Sequence, residues 1–461
     1  MPTALSRRNF FAGSFALAAA GASGTVRSVP PAGTFAEPPR SLKATDDSDV
    51  IVAGGGPAGI AAAITAARLG KRVRLFETHG SLGGIWTVGL LSCIIDFGRS
   101  MISREIIARL DALGARFPRR ATMLDSNFIY DPESMKIVLE DMATEAGVRF
   151  TYHSPVVAAY RDASGRNISA VVTESKSGRR AWRAPVFLDC TGDGDLAALA
   201  GCGFDVGGVK AGDADQPASL VAIVTLDDDE RIAGLSVNDS MAFRADGTPA
   251  GEPKKELYKA IADVGIEPSY AAPTLFKIRK NIYALMANHE YGVKLDDAEA
   301  ITAATVRARR EIFAIVRALA RKGGNRWRGL RVVATAEQLA HRAARRIHGR
   351  YTLTADDLVA GRRFPDAVAD CSFGIDVHGV SRAANKTLPA GNPSAMKETQ
   401  PYQIPLRACR SKDMDNLYMA GRCISGDFLA QASYRVTGPA VAMGEGVANA
   451  LFKCRERQSA L

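Results

Sequence analysis

Three glycines early in the chain have the spacing at which a polypeptide backbone can approach a phosphate. Gly54, Gly56 and Gly59 form the pattern G-x-G-x-x-G directly after the apolar residues 49–53, which predict a short strand. In such a turn the first glycine permits the bend, the second leaves room for a pyrophosphate, and the third lets the next helix pack closely. The Ala-rich residues 60–69 predict that helix, whose N-terminus offers free N–H groups and a positive dipole end. The turn therefore predicts a site for a dinucleotide pyrophosphate.

The acid that follows this turn has the position at which dinucleotide-binding proteins contact a ribose. Residues 71–77 predict a second strand, and Glu77 stands at its end. A carboxylate there can accept hydrogen bonds from the hydroxyls of the adenosine ribose. The strand, turn, helix, strand and acid thus match a β-α-β dinucleotide-binding unit, although the unit alone does not separate FAD from NAD.

A further glycine pair lies just beyond Glu77. Gly83 and Gly84 are followed by Thr87 and Gly89, which gives the pattern G-G-x-x-T-x-G. This pattern resembles the extension that continues along the FAD pyrophosphate in two-dinucleotide-binding flavoproteins. The chain is accordingly similar to the FAD-dependent oxidoreductase family in which this stretch follows the ribose acid.

Later segments extend the resemblance. They are residues 131–157, 187–195, 345–379 and 402–425. The second contains the family's D-x-T-G-D-G-D turn, with Cys190 in place of the usual alanine, and the last is similar to its A-G-R-C-I-S loop. The resemblance covers residues 49–452, but residues 205–300 carry little of it.

The resemblance implies that FAD is the cofactor, and it implies which positions contact FAD. With the glycine turn, those positions are Gly54, Gly56, Pro57, Ala58, Gly59, Glu77, Gly83, Gly84, Val157, Thr191, Gly192, Gly421 and Arg422. In such proteins the flavin ring carries out the redox step, while the protein orients the substrate and tunes the ring. The sequence has no H-E-x-x-H or C-x-x-C motif, and we predict no metal site.

The candidates for catalysis are His378, Arg407 and Arg435. As a general base, His378 could accept a hydroxyl or C–H proton while hydride passes to flavin N5. The alternative is a structural histidine paired with Asp376 or Asp370. Arg407 and Arg435 could bind an anionic substrate or the carbonyl edge of the flavin.

The order of the motifs predicts how the fold positions these residues. We predict an α/β fold with a discontinuous, Rossmann-like FAD-binding domain, formed by residues 49–204 and 411–461. Residues 205–410 would form a mixed α+β substrate or cap domain. A helix that begins near Pro439 would direct its N-terminus at the flavin, where it could stabilise negative charge on the reduced ring.

The N-terminal residues predict export. Arg7 and Arg8 form a twin-arginine pattern, and the apolar residues 10–22 that follow are too few to span a bilayer. We predict a signal peptide at residues 1–24, a disordered linker at residues 25–48, and a periplasmic or otherwise exported protein. After cleavage we expect no stable membrane span; a retained N-terminal anchor helix is the alternative.

The positive charge of the chain is concentrated in one segment. The net charge is +10, and residues 301–350 alone hold thirteen Lys and Arg against two acids. Residues 296–322 predict a long amphipathic helix with mostly solvated arginines. Its predicted apolar stripe consists of Ile301, Val306, Ile312, Phe313, Val316 and Leu319. The segment lacks interleaved aromatic residues, so we predict no nucleic-acid partner.

Three further arginines of this segment are candidates for an internal anion contact. They are Arg342, Arg345 and Arg346, which belong to the family-like central block. If this stretch were helical, Glu337 and Arg345 would share a face, and a structural ion pair would be the alternative.

Two classes of enzyme remain open at this point. The first is an exported FAD-dependent dehydrogenase or reductase that acts on a small molecule and passes electrons to a quinone, a cytochrome or oxygen. The second is a lyase or isomerase that uses FAD without net redox. A binding protein with a vestigial flavin fold is disfavoured, because the turn retains all three glycines and Glu77. The absence of G-x-x-x-x-G-K-[ST] and G-x-S-x-G disfavours P-loop NTPases and typical serine hydrolases.

Overall fold

The computed structural model describes residues 35, 37–118, 125–208, 215–238, 252–387 and 399–453. The chain divides into two units, residues 1–41 and residues 42–461, and the elements below belong to the second. The predicted signal peptide lies outside the described residues, as do residues 25–34 and 36 of the predicted linker. Export therefore stays a prediction.

The described residues form short strands and eleven α-helices. The strands are β1 (Ala44–Thr45), β2 (Val50–Ala53), β3 (Val73–Phe76), β4 (Cys93–Ile94), β5 (Arg116–Pro118), β6 (Phe128–Tyr130), β7 (Arg149–Thr151), β8 (Val156–Arg161), β9 (Ile168–Ser175), β10 (Gly178–Trp182), β11 (Val186–Asp189), β12 (Phe204–Asp205), β13 (Val221–Thr225), β14 (Thr274–Arg279), β15 (Ile282–Met286), β16 (Arg331–Thr335), β17 (Arg346–Ile347), β18 (Ala367–Cys371), β19 (Tyr402–Pro405) and β20 (Leu417–Met419). The helices are α1 (Pro57–Arg68), α2 (Met101–Ala112), α3 (Pro132–Glu145), α4 (Asp195–Leu199), α5 (Pro253–Asp263), α6 (Ala298–Lys322), α7 (Ala355–Val359), α8 (Arg382–Thr387), α9 (Leu406–Cys409), α10 (Phe428–Tyr434) and α11 (Thr437–Phe452).

A five-stranded parallel sheet, with the order β20-β11-β2-β3-β7, positions the nucleotide motifs. Strand β2 is a continuous apolar run and fully buried, and β11 is apolar up to its last residue, Asp189, as is typical of parallel strands covered on both faces. The register pairs Ala53 with both Asp189 and Phe76, so three strands end at one edge of the sheet. All four pairs of neighbouring strands in this sheet are parallel, so the predicted α/β fold with a Rossmann-like sheet is confirmed. The strands come from distant parts of the chain.

Helix α1 follows β2 after the glycine turn and begins at Pro57, three residues before the predicted start at residue 60. Proline suits the first helical position, since its fixed φ is helical and its missing N–H would have had no partner. A Cβ added to Gly444 of α11 would lie 2.1 Å from the carbonyl oxygen of Ala58. The two helices therefore meet backbone to backbone, which fixes the start of α1 against the C-terminal motif.

Antiparallel strands form the other sheets. These are β1-β10-β9-β8, in which β1 alone is parallel to its neighbour, β14-β15-β13-β16, β4-β6-β5, and the pairs β12-β17 and β18-β19. Residues 160–173, with a turn at residues 164–167, predict a hairpin, and strands β8 and β9 pair as one. The sheet β14-β15-β13-β16 packs with α5 and α6 around a second apolar core.

Helix α6 buries part of the predicted apolar stripe, since Ile312, Val316 and Leu319 are buried. Its predicted apolar residues Val306 and Phe313 are 38% and 36% exposed, so their assignment to the core was wrong. The small residues Ala304 and Ala308 are buried in their place, above Ile312. Val306 and Phe313 are seven residues apart, so they share one face of α6, and this face points away from the buried stripe. Among the described residues, no helix has the length and apolar character needed to cross a membrane.

Candidate active site

The glycine turn between β2 and α1 is packed tightly on one side and open on the other. Gly54 has a φ of +92°, and a Cβ there would lie 2.5 Å from the carbonyl oxygen of Cys190. A Cβ at Gly59 would lie 1.9 Å from the carbonyl oxygen of Gly54, so α1 can approach this closely only with glycine. At Gly56 an added Cβ would meet no described atom within 4 Å. Gly56 is also the N-cap of α1 and provides no side-chain cap, so the first turn of α1 is open to an anion.

Glu77 lies directly after β3 and is held by the backbone around it. Its carboxylate accepts hydrogen bonds from the N–H of Gly55 at 2.6 Å and from the N–H of His79 at 2.9 Å. The side chain is buried, and it borders the same open space as Gly56. A carboxylate has about four acceptor positions, so Glu77 retains capacity for ligand hydroxyls.

A cavity of about 1180 Å³ extends from this turn into the C-terminal part of the chain. It is larger than the roughly 300–1,000 Å³ of most small-molecule sites, as expected of a site that holds a cofactor and a substrate together. Eleven of the predicted cofactor residues line it: Gly54, Gly56, Pro57, Ala58, Glu77, Gly84, Val157, Thr191, Gly192, Gly421 and Arg422. Gly59 and Gly83 are not part of this lining. Gly59 lies behind the turn, and Gly83 has a φ of +104° with its Cβ position facing Thr87, so both shape the turn from outside the cavity.

The turn after β11 is organised by one fully buried acid. Asp189 accepts hydrogen bonds from the N–H and the hydroxyl of Thr191 at 3.1 and 2.7 Å, and from the N–H of Ala197 at 2.8 Å. Burial raises the pKa of Asp189 to about 6, and the bonds from these N–H groups oppose that rise. The carboxylate therefore fixes Thr191 and Gly192 at the cavity wall.

Two ion pairs continue the wall beyond this turn. Arg422 donates to Asp193 at 2.6 Å, and Arg345 donates to Asp195 at 2.7 Å. The Arg422 guanidinium also lies against Gly192, 2.9 Å from the position of an added Cβ. The helical alternative for Glu337 and Arg345 was wrong, because no helix forms there and Glu337 instead contacts His79 at 3.3 Å.

The far end of the cavity brings His378 and Arg435 together around one acid. The Asp376 carboxylate lies 3.2 Å from Nε2 of His378 and accepts from Arg435 at 3.0 Å. His378 is only 5% exposed, and its backbone N–H donates to Gln216 at 3.0 Å. Its Nδ1 has no hydrogen-bond partner among the described residues.

The electrostatics of this group keep His378 neutral. Burial, followed by the positive charge of Arg342, lowers the pKa of His378 to about 3, although the Asp376 contact opposes the shift. Burial would raise the pKa of Asp376, but the hydrogen bond from His378 and the charge of Arg435 outweigh it and hold that pKa well below its usual range. Because a carboxylate only accepts hydrogen bonds, Nε2 of His378 carries the proton, and Nδ1 keeps its lone pair.

Arg342 joins this group although it was not among the predicted catalytic residues. Its Nη1 donates to the carbonyl oxygen of Pro217 at 2.7 Å and to the hydroxyl of Ser219 at 2.9 Å. Burial, followed by the charge of Arg435, lowers the pKa of Arg342 to about 10, so the guanidinium is still charged at neutral pH. The sequence signal for Arg342 was its place in the family-like block, which suggested an anion contact without a location.

Aromatic rings close the cavity behind His378. The ring centroids of Tyr270 and His289 are 4.1 Å apart, and those of His289 and His378 are 5.2 Å apart. His289 is buried, and burial followed by the charge of Arg342 holds its pKa far below its usual range. These neutral rings exclude water from one side of the Asp376 and His378 pair.

Arg407 lies elsewhere. It donates to Asp366 at 3.0 Å, lies over the ring of Tyr351, and is half-exposed. The described lining of the cavity does not include it. The structure thus brings together two of the three predicted catalytic residues, His378 and Arg435, and keeps Arg407 apart from them, because the Asp366 carboxylate holds its guanidinium.

The N-terminus of α11 also borders the cavity. Val436, Thr437 and Ala440 line it, and the N-cap residue Val436 has no side chain that could satisfy the first N–H groups. A helix of this length carries a partial positive charge at that end. The predicted start near Pro439 falls two residues inside the observed helix.

No curated protein was found to match the sequence. Among solved structures, the chain is similar to a geranylgeranyl bacteriochlorophyll reductase-like protein from Thermoplasma acidophilum, with 12% identity and a TM-score of 0.44 over 91% of this chain and 80% of that chain. It is also similar to L-proline dehydrogenase from P. horikoshii, with 11% identity and a TM-score of 0.41 over 89% and 94%. A third similar structure is p-nitrophenol 4-monooxygenase from Pseudomonas putida, with 12% identity and a TM-score of 0.39 over 66% of this chain and 69% of that chain. At these scores, no substrate or partner is transferred to this chain.

The comparison with protein families is more specific. The model of the family described as FAD dependent oxidoreductase matches residues 49–460. That range includes the glycine turn, Glu77, the turn after Asp189 and the loop at Gly421, all of which meet at the cavity. Because the match covers far more than half of the sequence, the chain belongs to the FAD dependent oxidoreductase family.

Proposed function

We propose that this FAD-dependent enzyme transfers hydride between a small organic substrate and N5 of its flavin, and exchanges the electrons with an external acceptor. The observation that carries the proposal is the continuity of one cavity from the glycine turn to Asp376, His378 and Arg435. A nucleotide and a substrate bound in this cavity would share one continuous space, which brings the reacting groups together.

The residues at the nucleotide end fit FAD. The open side of Gly56 and the uncapped first turn of α1 suit a pyrophosphate, and Glu77 keeps acceptor capacity for ribose hydroxyls. Thr191, Gly192, Gly421 and Arg422 would border the middle of the cofactor. When bound, FAD supplies the two-electron redox chemistry of the reaction.

The N-terminus of α11 has the charge needed beside the flavin ring. Its first N–H groups have no side-chain cap, and Thr437 borders the cavity. The positive end of this helix would stabilise negative charge on a reduced ring. Arg435, one residue before the N-cap, is oriented by the carboxylate and the carbonyl oxygen of Asp376.

His378 is the residue suited to move a proton. Asp376 fixes its tautomer, and the buried Nδ1 keeps a lone pair without a partner among the described residues. To take a proton from a substrate hydroxyl or C–H group, the ring would turn so that Nδ1 faces the cavity. The rings of Tyr270 and His289 limit how far His378 can turn. The side chain is thus held beside the cavity, as a general base requires.

Export is a separate part of the proposal, and it is supported by the twin-arginine pattern at Arg7 and Arg8. That route exports folded proteins and is used by enzymes that must first acquire a cofactor. The acceptor would then be a quinone, a cytochrome or oxygen. Fractionation of cells that express the full chain should find flavoprotein in the exported fraction, and the double change of Arg7→Lys and Arg8→Lys should retain it inside. Equal distribution of both proteins would contradict export.

Anaerobic mixing of the purified holoenzyme with candidate substrates tests the reaction. Loss of the flavin absorption band upon mixing, restored by an added quinone or by oxygen, is expected for a dehydrogenase. If the protein acts instead as a reductase, a chemically reduced enzyme should be reoxidised by its substrate. Turnover with no change in flavin redox state would favour a lyase or isomerase and contradict the proposal, and protein that takes up no FAD would exclude both reactions.

A further inference from the structure

One cation in the wall of the cavity has no carboxylate partner among the described residues. The other three arginines of the lining are each paired with an aspartate: Arg345 with Asp195, Arg422 with Asp193, and Arg435 with Asp376. Arg342 is hydrogen bonded only to two neutral oxygens, those of Pro217 and Ser219. No described carboxylate pairs with it directly, and Asp376 acts on its charge only through space.

Arg342 also retains unused donors. A guanidinium carries five N–H groups in a planar fork, and in the described residues only Nη1 of Arg342 donates a hydrogen bond. In Arg435 one amino group binds Asp376, while the buried Nε has no partner. Buried charged donors without partners are costly, so such groups in a cavity indicate a missing anionic acceptor.

These donors lie at the substrate end of the cavity and not at the phosphate end. The charge of Arg342 lowers the pKa of His378 and of His289, and the charge of Arg435 lowers the pKa of Arg342. Such mutual effects require that the groups be close together. Lys254 from α5 adds another cation to the lining, whereas Glu77 accepts hydrogen bonds from the backbone N–H groups of Gly55 and His79 and pairs with none of these cations.

We propose that the substrate is an organic acid whose carboxylate binds Arg342 beside Arg435, with the reacting part of the molecule next to His378; this rests on the hydride-transfer function proposed above. An arginine fork matches a carboxylate in a bidentate arrangement, and such charge-assisted bonds are among the strongest in proteins. Asp376 already engages Arg435, which makes Arg342 the main anchor and Arg435 the second contact. A bound carboxylate would neutralise the positive charge of Arg342, which has no direct carboxylate partner among the described residues.

Ligand binding to the oxidised holoenzyme tests this proposal without requiring turnover. Formate, acetate and benzoate should be titrated and compared with the neutral formamide, acetamide and benzamide, while changes in the flavin absorption spectrum are recorded. We expect saturable binding of at least one acid and at least tenfold weaker binding of its amide. Arg342→Met should weaken binding of that acid by about tenfold to a hundredfold, the loss expected for hydrogen bonds to a charged group. Arg342→Lys keeps the positive charge but not the planar fork of donors, so its affinity for the acid should lie between those of the wild type and Arg342→Met.

The matched control is Arg310→Met, because Arg310 is exposed on α6 and does not line the cavity. This variant should bind the acid as the wild type does, and all variants should keep their FAD. The proposal is overturned if no acid perturbs the spectrum, if the amides bind as tightly as the acids, or if Arg342→Met binds the acid with unchanged affinity. An enzyme that binds acids through Arg342 while none of its substrates changes the flavin redox state would contradict the hydride-transfer function alone.

Discussion

The two ends of the cavity are built in different ways. At the phosphate end, one continuous stretch between Gly54 and Glu77 supplies the turn, the helix and the acid, and it works through backbone N–H groups. At the substrate end, the side chains come from separate parts of the chain: Ser219, Tyr270, Arg342, Asp376, His378 and Arg435. Backbone recognition requires a fixed spacing of small residues and so leaves a motif. Side-chain chemistry requires only proximity in space, which no spacing records.

The largest effect on the fold is expected at the glycine turn, where two similar substitutions should act differently. In Gly59→Ala the new Cβ would overlap the carbonyl oxygen of Gly54, so α1 would have to move away from the turn. Overpacking of this kind costs about 1–3 kcal/mol or more, and we expect a lower melting temperature together with loss of FAD. Thermal unfolding and the FAD-to-protein absorbance ratio measure both effects.

Gly56→Ala is the sharper test of the same turn. Its Cβ would meet no described atom, so the apoprotein should unfold at the wild-type temperature. The methyl group would nevertheless occupy the space assigned to the pyrophosphate, and FAD should bind at least about tenfold more weakly, or about 1.4 kcal/mol. If Gly56→Ala bound FAD with wild-type affinity, the assignment of the pyrophosphate to the space beside Gly56 would be wrong.

His378→Asn is expected to separate catalysis from cofactor binding. The amide cannot act as a base, so kcat should fall by about 10²–10⁴ while the FAD content stays at the wild-type level. The matched control is His348→Asn, since His348 is partly exposed beside Asp205 and does not line the cavity. A structural role of His378 would instead appear as a lower melting temperature with a nearly unchanged kcat.

The difference between the two ends also explains how much could be predicted from the sequence. The parallel sheet, α1, the hairpin of β8 and β9 and the acid Glu77 follow from local patterns, and the structure contains them. Arg407 was a catalytic candidate and Arg342 only a candidate for an internal anion contact, because an arginine in a family-like segment carries no signal of its partner. Only the tertiary structure shows that Asp366 occupies Arg407, while the partners of Arg342 are neutral.

Reversal of charge at two arginines should show where the basic segment touches the site. Arg345 borders the cavity and pairs with Asp195, so Arg345→Glu would place a third acid beside Asp193 and Asp195. We expect about tenfold weaker FAD binding, or about 1.4 kcal/mol, in a fluorescence titration of the apoprotein. Arg317→Glu is the control, because Arg317 is exposed on α6 and should leave FAD binding unchanged. Equal effects of the two reversals would mean that the segment acts through its overall charge.

The smallest expected effect is a displacement of the pH profile of kcat/KM, which depends on how Arg342 acts on His378. The imidazole of His378 faces Asp376, Arg342, Arg435 and His289, and of these only Asp376 raises the pKa of His378. With a pKa of about 3 in the free enzyme, His378 is already neutral at pH 5, so kcat/KM should not decline around the ordinary histidine value of about 6.5.

Arg342→Met removes a positive charge that lowers the pKa of His378, so that pKa should rise and the acid limb of kcat/KM should move toward neutral pH. Arg310→Met, which changes a distant exposed arginine, should leave the limb in place. Profiles of kcat/KM from about pH 4 to 9 at constant ionic strength measure the displacement. A limb near pH 6.5 in the wild type that does not move in Arg342→Met would mean that the essential base is a solvated group. The proton would then be taken by a group other than the pair of Asp376 and His378. The cofactor end of the cavity would still be built from backbone groups, but the side chains around His378 would not form the catalytic end.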